Sequence, residues 1–164
     1  MTLQQLSSYA GVGSRKTPND RLALMYNIAI KMSWLGFVLR SGGADGADTA
    51  FEKGASKKEI FYARDCTPQA MDIASLYHPA WDKCSEFARK LHGRNAFQIL
   101  GRNLNDPVKY CICWTPDGAT THMERCYRTG GTGTAISIAN AYGIPVINLA
   151  IPSEFKKWSE WVKI

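Results

Sequence analysis

Apolar residues in this chain cluster in short, nearly continuous runs, separated by longer stretches with helical spacing. The runs "SSYAGVG" (7–13), "FVLRS" (37–41), "EIFYA" (59–63), "VKYCICW" (108–114) and "PVINLA" (145–150) read as five strands. They are continuous rather than alternating, which is the pattern of strands buried on both faces of a parallel sheet. The stretch "RLALMYNIAIKMSWL" between the first two reads as a helix, with Thr17 as its cap, Pro18 at the first helical position, Asp20 at the positive end of the dipole and Gly36 as its stop. Further helices are expected over "ADTAFEKGA", over residues 67–104 in two or three pieces with Pro68 and Pro79 near their starts, over "GGTGTAISIANAYG" up to Gly143, and over "PSEFKKWSEWV". Strand and helix alternate without repeat or linker. The expected fold class is α/β: a Rossmann-like doubly wound parallel sheet of about five strands with helices on both faces, forming a single domain over residues 1–164.

Composition narrows the setting. Of 164 residues, 45% are hydrophobic and 21% charged, which is a globular rather than a disordered balance. No apolar run approaches the roughly 20 residues needed to cross a bilayer. The stretch "MTLQQLSSYAG" has neither a basic nor an apolar leader region, so no secretory signal is read there and the chain is expected to be cytoplasmic. Five cysteines, Cys66, Cys84, Cys111, Cys113 and Cys126, form no C-x-x-C pair. They read as reduced thiols, with no metal site expected. Cys111 and Cys113 would share one face of the fourth strand. The net charge of +6 suits a phosphate-bearing partner, although the basic residues are scattered rather than gathered in an arm.

Three strands end in glycine-rich turns that feed helices: "GVGSR", "SGGADGAD" and, after a long loop, "TGGTGT". In a doubly wound sheet these ends converge outside the carboxyl edge, near the point where strand order reverses. Glycine lets backbone amides approach a ligand, and helix N-termini add unpaired N–H groups and partial positive charge. The three turns together predict an anion site, most readily for phosphate. Asp45, Asp48 and Glu52 open the second helix, where carboxylates complement its dipole. In dinucleotide folds an acid near the phosphate turn also takes ribose hydroxyls, and Asp45, between Gly43 and Gly46, is expected to face the cleft.

The segments "YAGVGSRKTP", "LRSGGADGADTAFEKGA", "HGRNAFQILGRN" and "TGGTGTAISIANAYGIPVINL" resemble the SLOG superfamily over residues 9–149. The resemblance is strongest to its small phage and bacterial branch, similar to DNA-processing protein A (DprA-like). It implies a Rossmann-like fold that binds nucleotides or nucleotide-derived ligands, in dimers or higher homo-oligomers. Lonely Guy members of the superfamily are phosphoribohydrolases with the signature P-G-G-x-G-T-x-x-E. Here that signature reads Thr129, Gly130, Gly131, Thr132, Gly133, Thr134, Ala135, Ile136 and Ser137. The phosphate-cradling glycines and threonine are kept, and a serine stands at the catalytic glutamate position. The resemblance also matches Arg94 to a substrate-contacting arginine. The first turn supplies Gly13, Ser14 and Arg15.

A serine carries no charge at neutral pH and cannot stabilise the oxocarbenium-like state of N-glycosidic cleavage as a carboxylate does. The leading expectation is therefore a protein that binds a nucleotide-derived small molecule, phosphate plus ribose, without cleaving it. In the phage setting that the resemblance implies, such a protein would sequester a host nucleotide immune signal as a counter-defence. The first alternative is a phosphoribohydrolase in which Asp45 or Glu52 replaces the missing glutamate. The second is single-stranded DNA binding of the DNA-processing type. No cofactor and no membrane partner are expected.

The residues expected to hold the ligand are Gly13, Ser14, Arg15, Ser41, Gly42, Gly43, Asp45, Arg94, Trp114, Thr129, Gly130, Gly131, Thr132, Gly133 and Thr134. Ser14 and Ser41 either donate to phosphate or cap helices. Trp114 either stacks a base or packs at the rim. Arg40 could face the same site, or its strand position could turn it elsewhere. His78, His92 and His122 read as separate structural histidines, with His122, in the loop "TPDGATTHMERCYRT", the one placed to touch a ligand.

Overall fold

The computed structural model describes residues 6–164; residues 1–5, where the stretch read as lacking a leader begins, lie outside the described residues. Five strands form one parallel sheet in the order β3-β2-β1-β4-β5. They are β1 (Ser8–Gly11), β2 (Val38–Ser41), β3 (Lys58–Ile60), β4 (Cys111–Cys113) and β5 (Val146–Asn148). The helices are α1 (Asn19–Trp34), α2 (Ala47–Gly54), α3 (Pro68–Ser75), α4 (Glu86–Leu100), α5 (Thr132–Ala141) and α6 (Pro152–Trp161). The expected doubly wound α/β fold is what is found. Observed strands are shorter than the apolar runs, and β3 starts at Lys58, one residue before its run.

Two apolar layers sandwich the sheet, and strand alternation decides which residues enter each. Ala10, Val12, Cys111 and Cys113 face a cluster completed by Ala96, Phe97 and Leu100 of α4 and by Ala135, Ile136 and Ile138 of α5. Tyr9, Leu39, Ile112 and Leu149 face the other, completed by Met25 and Ile28 of α1 and Phe51 of α2. Burying a side chain of this size is worth roughly 1.5–3 kcal/mol, so the two layers supply most of the folding drive. Trp158 and Trp161 of α6 meet edge to face at 5.0 Å and pack against the second layer.

Local signals act in part as read: Pro68 opens α3 as expected, while Pro18, expected at the first helical position, is the N-cap of α1, and two caps not singled out from sequence appear. Thr67 caps α3 by accepting from the Ala70 amide at 3.3 Å, with Pro68 in the first turn. Ser85 does the same for α4 through the Ala88 amide at 3.1 Å. Pro79 leads only to a single 3₁₀ turn at Trp81–Lys83. Thr17 does not cap α1: its hydroxyl donates to the Ser14 carbonyl at 2.6 Å and tightens the first glycine turn instead. Among the described residues no helix is long and apolar enough to cross a membrane.

Candidate functional site

The chain progresses outward in opposite directions from β1 and β4, so the carboxyl ends of these two adjacent strands form the switch point. An open cleft of about 640 Å³ lies there. Its floor is the first glycine turn. Ser14 donates its amide to the Trp114 carbonyl at 3.2 Å and its hydroxyl accepts from the Lys16 amide at 3.0 Å. Gly13 has φ +153°, and a Cβ there would lie 2.8 Å from that of Ala47 and 3.1 Å from the Trp114 backbone. Gly46 has φ +84°, and its Cβ would lie 2.8 Å from the Arg15 Cα and the Ser14 carbonyl. Only glycine at both positions lets the first and second turns come together.

The wall opposite is α4 and the start of α5. Asn95 donates to the Gly131 carbonyl at 3.0 Å, which ties the third glycine turn to α4. In the first turn of α5 the Gly133 amide donates back to the Gly130 carbonyl at 3.0 Å, which tightens the third glycine turn. Asp117 orders the loop leading there: it accepts from Thr115 at 2.8 Å, from the Ala119 amide at 3.3 Å and from Thr129 at 2.5 Å. Burial pushes the Asp117 carboxyl up, but these bonds outweigh it and hold the group below the usual carboxylate range.

Four cations line the cleft: Arg15, Lys16, Arg94 and Arg128. Against them stands one lining carboxylate, Asp48, which is buried. Its Oδ2 accepts from the Ala44 amide at 3.2 Å. Burial pushes this carboxyl up to about 7, against the pull of the Arg94 charge and of the backbone bonds. Burial also lowers the Arg94 pKa, which Asp48 raises in return. A Cβ on Gly42 would lie 2.9 Å from Asp48 Oδ2 and 3.0 Å from Arg94 Cζ, with the Gln98 amide nitrogen nearer still, so three polar side chains converge over this glycine. Among the described residues Arg94 Nε and Gln98 Oε1 are buried without a hydrogen-bond partner, and both residues line the cleft. A buried polar atom left unpaired is costly, so such pairs in a cleft mark where a ligand's polar groups fit.

Of the residues singled out from sequence, Gly13, Ser14, Arg15 and Arg94 line the cleft, as do Thr129, Gly130, Gly131 and Thr132. Ser41, Gly42, Gly133 and Thr134 are buried outside this lining, and Gly43 is exposed outside it. Ser41 is buried with its hydroxyl unpaired, and Thr134 Oγ1 lies 3.0 Å from His92 Nδ1. Asp45 is exposed and outside the lining; the turn aims Asp48, three residues on, inward instead. Glu52 accepts from the Gly43 amide at 2.8 Å, so it closes the second turn. Trp114 packs against the apolar layer under α1 and α2 and does not reach the cleft. Ser137 is buried, within 2.7 Å of His122 Nδ1 and 3.0 Å of Arg125 Nη1. His122 is thus engaged behind the cleft, and His92 is the histidine that lines it. Burial, reinforced by His78, Arg125 and Arg94, lowers the His92 pKa to about 4, so its ring is neutral at neutral pH. Arg40 faces away: its guanidinium holds Asp106 and Glu59. Sequence reasoning did not single out Gln98, Lys16, Tyr127 or Arg128 as lining residues. The α4 register offered the signal for Gln98, one helical turn beyond Arg94.

The fold is similar to that of DNA processing protein A. The solved structure of that protein from Helicobacter pylori matches with a TM-score of 0.56 at 17% identity, covering 88% of this chain and 65% of its own. DNA processing protein A binds single-stranded DNA. The likeness is one of fold, and this chain spans 65% of the length of DNA processing protein A. No protein-family model matches the sequence, and no curated protein matches it.

Proposed function

We propose that this protein binds a nucleotide-derived small molecule, phosphate plus ribose, in the cleft outside β1 and β4, and releases it unchanged. The observation that carries the reading is the balance of charge in the cleft: four cations and the glycines Gly13, Gly130 and Gly131 line it with one carboxylate, which burial leaves only about half ionised at pH 7. Arginine forks match phosphate oxygens, and the partial positive charge at the α5 N-terminus adds to the attraction. The buried Arg94 Nε and Gln98 Oε1 offer one donor and one acceptor to the same ligand. Ser137 lies behind the lining, tied to His122 and Arg125, which supports binding over cleavage. Sequestering a host nucleotide signal is the use that the SLOG resemblance implies for such a cleft.

Thermal unfolding against a panel of nucleoside monophosphates and ADP-ribose tests this. A ligand at a hundred times its Kd should add about 2.7 kcal/mol of stability. Mass spectrometry of the recovered ligand should return it intact. A free base in the mixture would move the assignment to a phosphoribohydrolase, with Asp48 as its acid–base group. No stabilisation by any member of the panel would reject the reading.

The fold likeness to DNA processing protein A favours a second reading, binding of single-stranded DNA. It predicts that affinity for an oligonucleotide falls steeply with salt, with a slope of about −0.7 per phosphate contacted. It also predicts no saturation by a mononucleotide.

A further inference from the structure

We propose that His78, Cys84 and His92 form a binding site for a zinc-class divalent metal ion at the rim of the cleft. Their ligating atoms all lie within 4.8 Å of one another. Cys84 Sγ lies 3.8 Å from His78 Nδ1 and 3.7 Å from His78 Nε2. Zinc bonds of about 2.3 Å to sulfur and 2.0–2.1 Å to nitrogen at a tetrahedral angle set ligand atoms about 3.6 Å apart. The His78 and His92 rings meet with centroids 4.3 Å apart. A thiolate with two imidazoles is a donor set for zinc or its soft neighbours, and not for magnesium or calcium.

The supporting contacts are those a metal site needs. His92 Nδ1 faces Thr134 Oγ1 at 3.0 Å, which leaves Nε2 free to carry the ligating lone pair. Cys84 immediately precedes Ser85, the cap of α4, so the helix start fixes it. The turn between His78 and Cys84 is pinned by Arg89, which donates to the Trp81 carbonyl at 3.3 and 3.1 Å. His78 Nδ1 accepts from the Ala80 amide at 3.0 Å, and ligation through that nitrogen replaces this bond. Binding releases the Cys84 proton and takes both imidazoles in their neutral form. Arg125, whose Nη1 donates to the Tyr77 carbonyl at 2.8 Å, is the neighbouring cation, and the thiolate charge offsets it. Three protein ligands leave a tetrahedral ion a fourth position, and His92 is shared with the cleft lining.

The test uses the full chain, stripped with a chelator and titrated with Co²⁺ as a spectroscopic stand-in. The expected result is one ion per chain, with thiolate-to-cobalt charge transfer in the near ultraviolet and the visible bands of tetrahedral cobalt. Stoichiometric Zn²⁺ should displace both. Cys84→Ser should remove the charge-transfer band, and Cys126→Ser, at the exposed thiol, should leave it. If Cys84→Ser does not fold, His78→Ala replaces it and should weaken Co²⁺ binding about tenfold or more. Absence of a charge-transfer band in the wild type overturns the proposal. So does a band that survives Cys84→Ser or disappears in Cys126→Ser, or an unchanged affinity in His78→Ala.

Discussion

Arg94 Nη1 donates to the Gly42 carbonyl at 2.7 Å, so the guanidinium that lines the cleft is anchored by the second glycine turn. One fork of the side chain serves the fold and the rest remains for a ligand. Arg94→Gln should therefore weaken binding of a phosphate ligand by about ten- to a hundredfold, the loss expected for a charge-assisted hydrogen bond of 1.5–3 kcal/mol. Arg94→Lys keeps the charge but loses the fork, and should fall between the two. Calorimetric titration with ADP-ribose gives the ordering directly. Equal affinities in all three proteins would remove Arg94 from the site.

Asp48 makes the protein's stability depend on pH in an unusual direction. Its carboxyl titrates near 3.8 in the unfolded chain and at about 7 in the folded one. Between these values the folded state binds more protons, so raising the pH favours unfolding. Wild-type stability should fall relative to Asp48→Asn as pH rises from about 4 to 7, by on the order of a few kcal/mol in total. Urea unfolding of both proteins at several pH values measures the difference. An anion in the cleft disfavours the charged carboxylate further, so affinity for ADP-ribose should decline as pH rises through 7, and Asp48→Asn should flatten that decline.

Two glycines separate binding from folding. Gly131 has helical dihedrals, φ −62° and ψ −25°, and a Cβ there meets nothing within 4 Å, yet the residue lines the cleft. Gly131→Ala should leave the unfolding free energy within about 0.5 kcal/mol and still weaken the ligand, because the methyl stands where phosphate approaches. Gly13→Ala should do the reverse first. Its Cβ would press on Ala47 and the Trp114 backbone, at a cost of about 1–3 kcal/mol before any ligand is added. Melting curves with and without ligand distinguish the two cases.

The sequence carried the fold well because the deciding signals are local. Five apolar runs, glycine stops at Gly36 and Gly143 and the proline at the start of α3 are each read within a few residues, whereas the caps at Thr67 and Ser85 are not singled out from sequence and Thr17, read as a cap, is not one. Strand order is a tertiary property and was legible only as the general rule that glycine turns gather at a switch point. Trp114 shows a signal that was present and not used. Cys111 and Cys113 face the α4 side, so strand alternation places Ile112 and Trp114 on the α1 side, away from the cleft. Sequence reasoning turns Asp45 inward where the structure turns Asp48, because which acid turns inward depends on the conformation of Gly46 and on the pull of Arg94, distant in sequence. The approach of His78 to His92 follows from the chain folding back between α3 and α4, which no spacing rule encodes.

Arg40 looks like a phosphate-site arginine in sequence and is a structural one in space. It is 3% exposed, and its guanidinium donates to the Asp106 carbonyl and carboxylate, both at 2.6 Å, and to Glu59 at 3.3 Å. These bonds fasten the loop between α4 and β4 to β2 and β3. Breaking a buried pair by removing one partner costs about 3–5 kcal/mol. Asp106 and Glu59 keep 45% and 40% side-chain exposure, so water compensates them in part and the loss should be nearer 2–3 kcal/mol. Arg40→Met should lower the melting temperature by about 5–10 °C. Its affinity for a cleft ligand, measured below that temperature, should match the wild type. A Met variant that melts normally but binds weakly would place Arg40 with Arg94 at the ligand and reverse the division between the two arginines.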